Sequence, residues 1–122
     1  MERLTQPEED ALRGLWQLPS GGFVKDVLDH LPEPRPPYTT LASTLRNLER
    51  KGYVQAEKLG NSYRFVPLIS AEEYQRRSLG TLVKQHFSDS YKELVSFFAQ
   101  EKKISAEELQ EIIALIERKK AE

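Results

Sequence analysis

Two histidines, His30 and His86, and no cysteine are what this chain of 122 residues offers for nucleophilic or metal chemistry. A hydrolytic site needs a nucleophile, a base and an orienting group within reach of one another. A zinc site needs several His, Cys or carboxylate ligands at close spacing. Neither arrangement is visible, and there is no HExxH spacing and no Gly-rich phosphate loop. The clustered carboxylates Glu8-Glu9-Asp10 and Glu107-Glu108 sit at helix N-termini, where they favour the helix dipole and need no catalytic explanation. No catalytic residue, metal site or cofactor is therefore expected, and both histidines read as surface or interface residues.

A different chemistry is written into the central third. Leu41, Leu45 and Leu48 recur at i, i+4 and i+7, the spacing of one helix face. At about 100° per residue the opposite side receives Thr39, Ser43, Arg46 and Arg50, with Thr40 and Asn47 flanking and Tyr38 at the start. Hydroxyls thus stand near the N-terminus of that stripe and cations toward its end. A helix fits the major groove of double-stranded DNA, and its N-terminal outward residues reach base edges. Thr39, Thr40 and Ser43 can bond bases or phosphates, and the threonine methyls can touch a thymine methyl. Arg46 and Arg50 lie where the helix leaves the groove and suit the backbone, although Arg46 can still reach a guanine. Lys58 and Arg64 flank a turn that would bring them to an adjacent phosphate or minor groove.

The charge balance agrees with this reading. Lys and Arg number 18 against 19 Asp and Glu, which excludes a uniformly basic coat. Yet residues 1–34 are net −4, residues 35–66 net +4 and residues 67–122 net −1. A local basic patch inside a neutral protein is what phosphate contact requires.

These side chains must be held by a scaffold. Thr5-Gln6-Pro7-Glu8 predicts a helix start, with Ala11, Leu12, Leu15 and Trp16 on its buried face. Pro19-Ser20-Gly21-Gly22 ends that helix. Phe23, Val24, Val27, Leu28 and Leu31 define a short second helix, stopped by the prolines between Pro32 and Pro37. The third helix runs from about Tyr38 to Lys51 and is closed by Gly52. Two alternating segments, Tyr53–Leu59 and Ser62–Val66, surround Gly60-Asn61 and predict a hairpin closed by Pro67. Three helices followed by a basic hairpin make a winged helix-turn-helix.

Beyond it, Ser70-Ala71-Glu72-Glu73 and Ser105-Ala106-Glu107-Glu108 are further capping boxes. They frame a long helix to about Phe87, a second marked by Tyr91, Leu94, Val95 and Phe98, and a last one carrying Leu109, Ile112, Ile113 and Ile116. These thin amphipathic helices cannot bury all their apolar faces alone, and a second copy would cover them. The expected class is mainly α with a small β-hairpin. A DNA-binding domain over residues 1–68 is followed by a helical dimerisation region over 69–122. No apolar run approaches the roughly 18 residues of a spanning helix. The start leads straight into a polar segment, so no signal peptide or membrane insertion is expected, and a cytoplasmic location is.

Several of these blocks are familiar. Pro37-Tyr38-Thr39-Thr40-Leu41 and Thr44-Leu45-Arg46-Asn47-Leu48-Glu49-Arg50-Lys51-Gly52-Tyr53-Val54 resemble the recognition-helix block of the penicillinase-repressor family (BlaI/MecI/CopY type). The opening Leu4–Leu12 with Leu15-Trp16 is similar, as are Tyr63-Arg64-Phe65-Val66-Pro67, Ser70–Tyr74 and the tail from Phe98 to Leu109. The resemblance implies a homodimeric winged-helix transcriptional repressor on a palindromic operator, dimerised through its C-terminal helices. It also implies a partner, a membrane-bound sensor metalloprotease that cleaves the repressor. Matched without gaps, the bond cut in well-known members falls between Phe97 and Phe98, with Phe97 in place of the family's Asn. The copper-responsive branch has a cysteine-rich tail, and this chain has no cysteine, so that route to copper sensing is not expected. Two rivals stay open at this point: a winged-helix protein-interaction module that never touches nucleic acid, and a DNA-binding activator or nucleoid factor.

Overall fold

The computed structural model describes residues 2–121, with side chains through residue 115. The element order is α1 (Gln6–Trp16), α2 (Val24–Leu28), α3 (Tyr38–Arg50), β1 (Val54–Leu59), β2 (Ser62–Pro67), α4 (Ala71–His86), α5 (Tyr91–Gln100) and α6 (Ala106–Ala121). The chain divides into two compact units, Met1–Gln75 and Arg76–Glu122.

In the first unit the predicted capping box forms. Thr5 Oγ1 accepts from the Glu8 N–H, and Glu8 Oε1 accepts from the Thr5 N–H at 2.8 Å. Two N–H groups that would otherwise be unpaired at the start of α1 are thereby satisfied. Leu12 and Leu15 from α1, Val27 from α2, and Leu41, Leu45 and Leu48 from α3 are fully buried in one core. Each such leucine contributes about 1.5–3 kcal/mol by leaving water. Helix α2 ends at Leu28, earlier than its apolar pattern suggests, and Leu31 reaches the same core from the turn beyond it.

Helix α3 ends at Arg50. Gly52, with φ of +88°, allows the Tyr53 N–H to reach back to Leu48 O at 3.0 Å and its own N–H to reach Glu49 O. That Schellman pairing satisfies the last carbonyls and turns the chain into the hairpin. Strands β1 and β2 pair antiparallel from Val54↔Pro67 to Leu59↔Ser62, so Tyr53 lies just outside the ladder and Pro67 inside it. The turn is Gly60-Asn61, and Gly60 takes φ of +64°, which glycine adopts without a Cβ penalty.

The hairpin is held by a third piece of extended chain. Gly22 donates to Phe65 O at 2.9 Å and accepts from Phe65 N–H at 2.8 Å, so the segment after α1 pairs with β2. Gly21 stands at φ of +80°, and a Cβ there would lie 2.4 Å from Phe65 O. The glycine pair read from sequence as a helix stop is therefore also where two backbones meet. Past the hairpin, Trp16 Nε1 donates to Ile69 O at 2.9 Å. Tyr74 donates to Glu9 at 2.6 Å and packs its ring against Trp16 and Tyr53. The first turn of α4 thus belongs to this unit.

In the second unit Val83 and Leu94 are buried, and Phe87, Phe97 and Phe98 form a chain of edge-on rings about 6 Å apart. Helix α4 stops at His86, and Ser88 and Asp89 take left-handed φ values of 52° and 61°. Ser90 then caps α5 through the Glu93 N–H. Ser105 and Glu108 form the reciprocal capping box at the start of α6. Leu79, Leu82, Tyr91, Val95, Phe97, Phe98, Ile112, Ile113 and Leu115 remain exposed. The Ile116 side chain lies outside the described residues.

A candidate nucleic-acid interface

Burying Leu41, Leu45 and Leu48 fixes the rotation of α3 about its own axis. The opposite face must then point away from the core, and it does: Tyr38, Thr39, Thr40, Ser43, Arg46, Asn47 and Arg50 are all exposed. These seven sequence-expected residues share one edge of one helix. Pro37 precedes the helix in extended conformation, and no side chain caps its N-terminus. The first N–H groups of α3 therefore have no side-chain partner at the cap, and a helix N-terminus favours negatively charged groups.

The hairpin stands next to this edge. A cleft of about 470 Å³ runs between them, lined by Ser43, Arg46 and Asn47 on the helix side and Asn61, Ser62 and Tyr63 on the hairpin side, with Phe23 and Phe65 beneath. Lys58 and Arg64 lie on β1 and β2, near the hairpin tip, each exposed or nearly so.

The cations are not equivalent. Arg46 Nη1 donates to Glu49 at 2.9 Å, and its guanidinium lies over the Tyr63 ring, 4.0 Å from the centroid. The Glu49 bond first, and Tyr63 second, push its pKa above the ordinary arginine value. Arg64 donates through Nε and Nη2 to one oxygen of the Glu57 carboxylate across the ladder, the shorter bond being 2.6 Å. Among the described residues, Arg50 and Lys58 make no ion pair, and their full charge is offered to solvent. Lys51, counted with the basic third, is turned inward: Nζ meets Glu8 Oε1 at 2.6 Å and donates to Arg3 O. It braces the back of α3.

Sequence reasoning missed Tyr63, Glu49 and Glu57 as parts of this surface. For Glu49 the i, i+3 spacing from Arg46 was a usable signal. Glu57 and Arg64 face each other at the register that the two-residue turn sets, which was also legible. Nothing local linked Tyr63 to Arg46.

The other expected residues lie in the second unit. Tyr91, Val95, Phe98, Ile112 and Ile113 are exposed, Leu109 is half-buried, and Leu94 is already buried in the single chain. The Phe97–Phe98 bond lies inside α5, with both rings close to half exposed. His30 Nδ1 sits 2.9 Å from Asp26 O in the turn after α2, and His86 ends α4. Among the described residues no group of His, Cys, Asp and Glu could hold a metal, and no helix is long and apolar enough to cross a membrane.

Comparison with known proteins gives three findings. The family model described as Penicillinase repressor matches residues 4–118. No curated protein sequence matches significantly. Among solved structures, one of Bordetella bronchiseptica BpsR, titled for regulation of its DNA binding by 6-hydroxynicotinic acid, is 13% identical with a TM-score of 0.49. It is matched over 99% of this chain and 78% of that one. The PcaV transcriptional regulator from Streptomyces coelicolor, in complex with its natural ligand, is 21% identical with a TM-score of 0.46, over 96% of this chain and 74% of that one. Membership rests on the family match, which spans nearly the whole chain. The family is one of regulators rather than enzymes, and with the exposed edge of α3, the neighbouring hairpin and that match together, this protein belongs to the penicillinase repressor family of DNA-binding transcriptional repressors.

Proposed function

We propose that the chain represses transcription in the cytoplasm as a homodimer, each copy seating α3 in the major groove of one half of a palindromic operator. The observation that carries this reading is the edge of α3: seven polar side chains, fixed outward by three buried leucines, beside a hairpin that brings Lys58 and Arg64 to the flanking backbone. Thr39, Thr40, Ser43 and Asn47 are assigned to base edges, and Tyr38, Arg50, Lys58 and Arg64 to phosphates. Arg46 is assigned to a base. Residues 1–68 contact DNA and residues 69–122 join the two copies.

The dimer is supported by the second unit's surplus of exposed apolar side chains. A second copy covering Tyr91, Val95, Phe98, Leu109, Ile112 and Ile113 removes them from water. It also doubles the phosphate contacts, since the few available to one copy give modest affinity. Two-fold symmetry in the protein then calls for two-fold symmetry in the site. Relief of repression is assigned to cleavage between Phe97 and Phe98 by a membrane-bound sensor metalloprotease, on the strength of the family resemblance. That bond lies within α5, so the helix must open locally before a protease can bind it in extended form.

Binding of the full chain to the DNA upstream of its own gene, followed against salt, tests the reading. The expected result is a log affinity that falls linearly and steeply with log salt. Absence of binding, or a flat dependence, would contradict it and favour a protein-interaction module. A transcript that falls rather than rises on deletion of the gene would favour an activator.

A further inference from the structure

We infer that Tyr63 is a positioning residue that makes Arg46 a reader of base sequence rather than a neutraliser of phosphate. The inference rests on the docking of α3 proposed above. Arg46 projects from α3 and Tyr63 from β2, and their contact at 4.0 Å spans the cleft between helix and hairpin. An arginine alone on an exposed helix edge samples many rotamers, and fixing one of them costs entropy. Here two contacts fix it before any ligand arrives. The ring holds the face of the guanidinium, and Glu49, one turn along the helix, holds Nη1 at 2.9 Å.

The two contacts leave donors unused. A guanidinium carries five N–H donors in one plane. The ring contact uses the face, while Glu49 takes one of the two at Nη1. The remaining donors form a rigid planar fork, which is what the O6 and N7 acceptors of a guanine demand. Pairing with Glu49 also lowers the net charge that Arg46 presents, which makes it a poorer phosphate ligand than the unpaired Arg50. Ser43 and Asn47 line the same cleft and can bond the neighbouring base. Tyr63 therefore governs discrimination at one base pair in each half-site and leaves general attraction to DNA unchanged.

The test uses the full chain and a duplex enriched from a random pool by the wild-type protein. Affinity is measured for that duplex, for versions with each base pair replaced in turn, and against salt. Arg46→Ala is expected to flatten the preference at one G·C pair per half-site. Tyr63→Leu weakens the preference at that same pair by about two- to fivefold, the scale of an exposed cation–π contact, with the salt slope unchanged. Tyr63→Phe keeps the preference because it keeps the ring. Arg46→Lys keeps the charge and loses the preference because it lacks the plane. In the Arg46→Ala background, Tyr63→Leu has no effect at that pair.

If Arg46→Ala flattens one pair while Tyr63→Leu leaves it intact, or weakens all duplexes equally, the role given to Tyr63 is wrong and the docking of α3 stands. Full preference in Arg46→Lys, a readout that does not depend on altering the hairpin, overturns it as well. A wild-type protein that enriches no sequence overturns the docking and this inference with it.

Discussion

Lys51 Nζ lies 2.6 Å from Glu8 Oε1, tying the end of α3 to the first turn of α1 across 43 residues of sequence. Their side chains are 9% and 5% exposed, and the same Glu8 oxygen accepts from the Thr5 N–H. One carboxylate therefore caps α1 and anchors α3, so the helix that presents the DNA-facing edge is held from behind by an ion pair.

Stability should depend on this pair in acid. Burial on its own raises the Glu8 pKa, but the bonds from Lys51 and Thr5 outweigh it and hold the carboxyl below its ordinary value of 4.5. A depressed carboxyl contributes stability that is present above the unfolded value and lost as pH falls through the folded one. Urea unfolding is expected to show a loss that begins below that ordinary value. Lys51→Met, which leaves Glu8 buried without its partner, is expected to cost about 3–5 kcal/mol at neutral pH and to remove that acid-side loss.

Two glycines with positive φ should respond differently to alanine. At Gly52 an added Cβ meets nothing within 4 Å, so only backbone strain opposes it. At Gly21 the Cβ would also strike Phe65 O at 2.4 Å and break the pairing of Gly22 with β2. Gly52→Ala is expected to cost about 1–2 kcal/mol. Gly21→Ala should cost more and weaken DNA binding, because the hairpin is displaced. Thermal unfolding of both variants, with a gel-shift, makes the comparison.

Much of this architecture could be read locally. Thr5 and Glu8 announce their capping box, Leu41, Leu45 and Leu48 fix the buried face of α3, and Gly52 and Gly60-Asn61 mark turns that only a few residues can make. The exposed edge opposite the leucines followed from the same periodicity. What escaped were pairings between segments distant in sequence. Lys51 counted as one more surface cation until its partner proved to lie in α1. Gly21-Gly22 carried no sign that Phe65 would pair there, and Tyr63 none that it would meet Arg46. Backbone periodicity is encoded within a few residues, whereas the choice of a side chain's partner depends on how whole elements come together.

The hairpin offers a gain-of-binding variant. Arg64 is held to Glu57 at 2.6 Å, and both side chains are substantially exposed. Glu57→Gln removes the competing carboxylate and leaves the guanidinium free for phosphate. Affinity for DNA is expected to rise at low salt, and the salt slope to steepen by about one. An unchanged slope would place Arg64 away from the backbone.

The apolar faces of the second unit give a mass prediction. Ile112 and Ile113 are both more than 40% exposed in the single chain. If a second copy covers them, Ile112→Asp or Ile113→Asp is expected to shift the sedimenting mass from dimer to monomer. An unchanged mass would put the interface on another surface.

The account depends most on the edge of α3 entering a groove, and the absence of cysteine makes this directly measurable. Ser43→Cys provides a single attachment point for an iron–EDTA cleavage reagent at the centre of that edge. On the enriched duplex, cleavage is expected in two short clusters related by a two-fold axis, spaced by about one helical turn (10–10.5 bp) or a multiple of it. Uniform cleavage along the duplex, or none while the labelled protein remains bound, would contradict it.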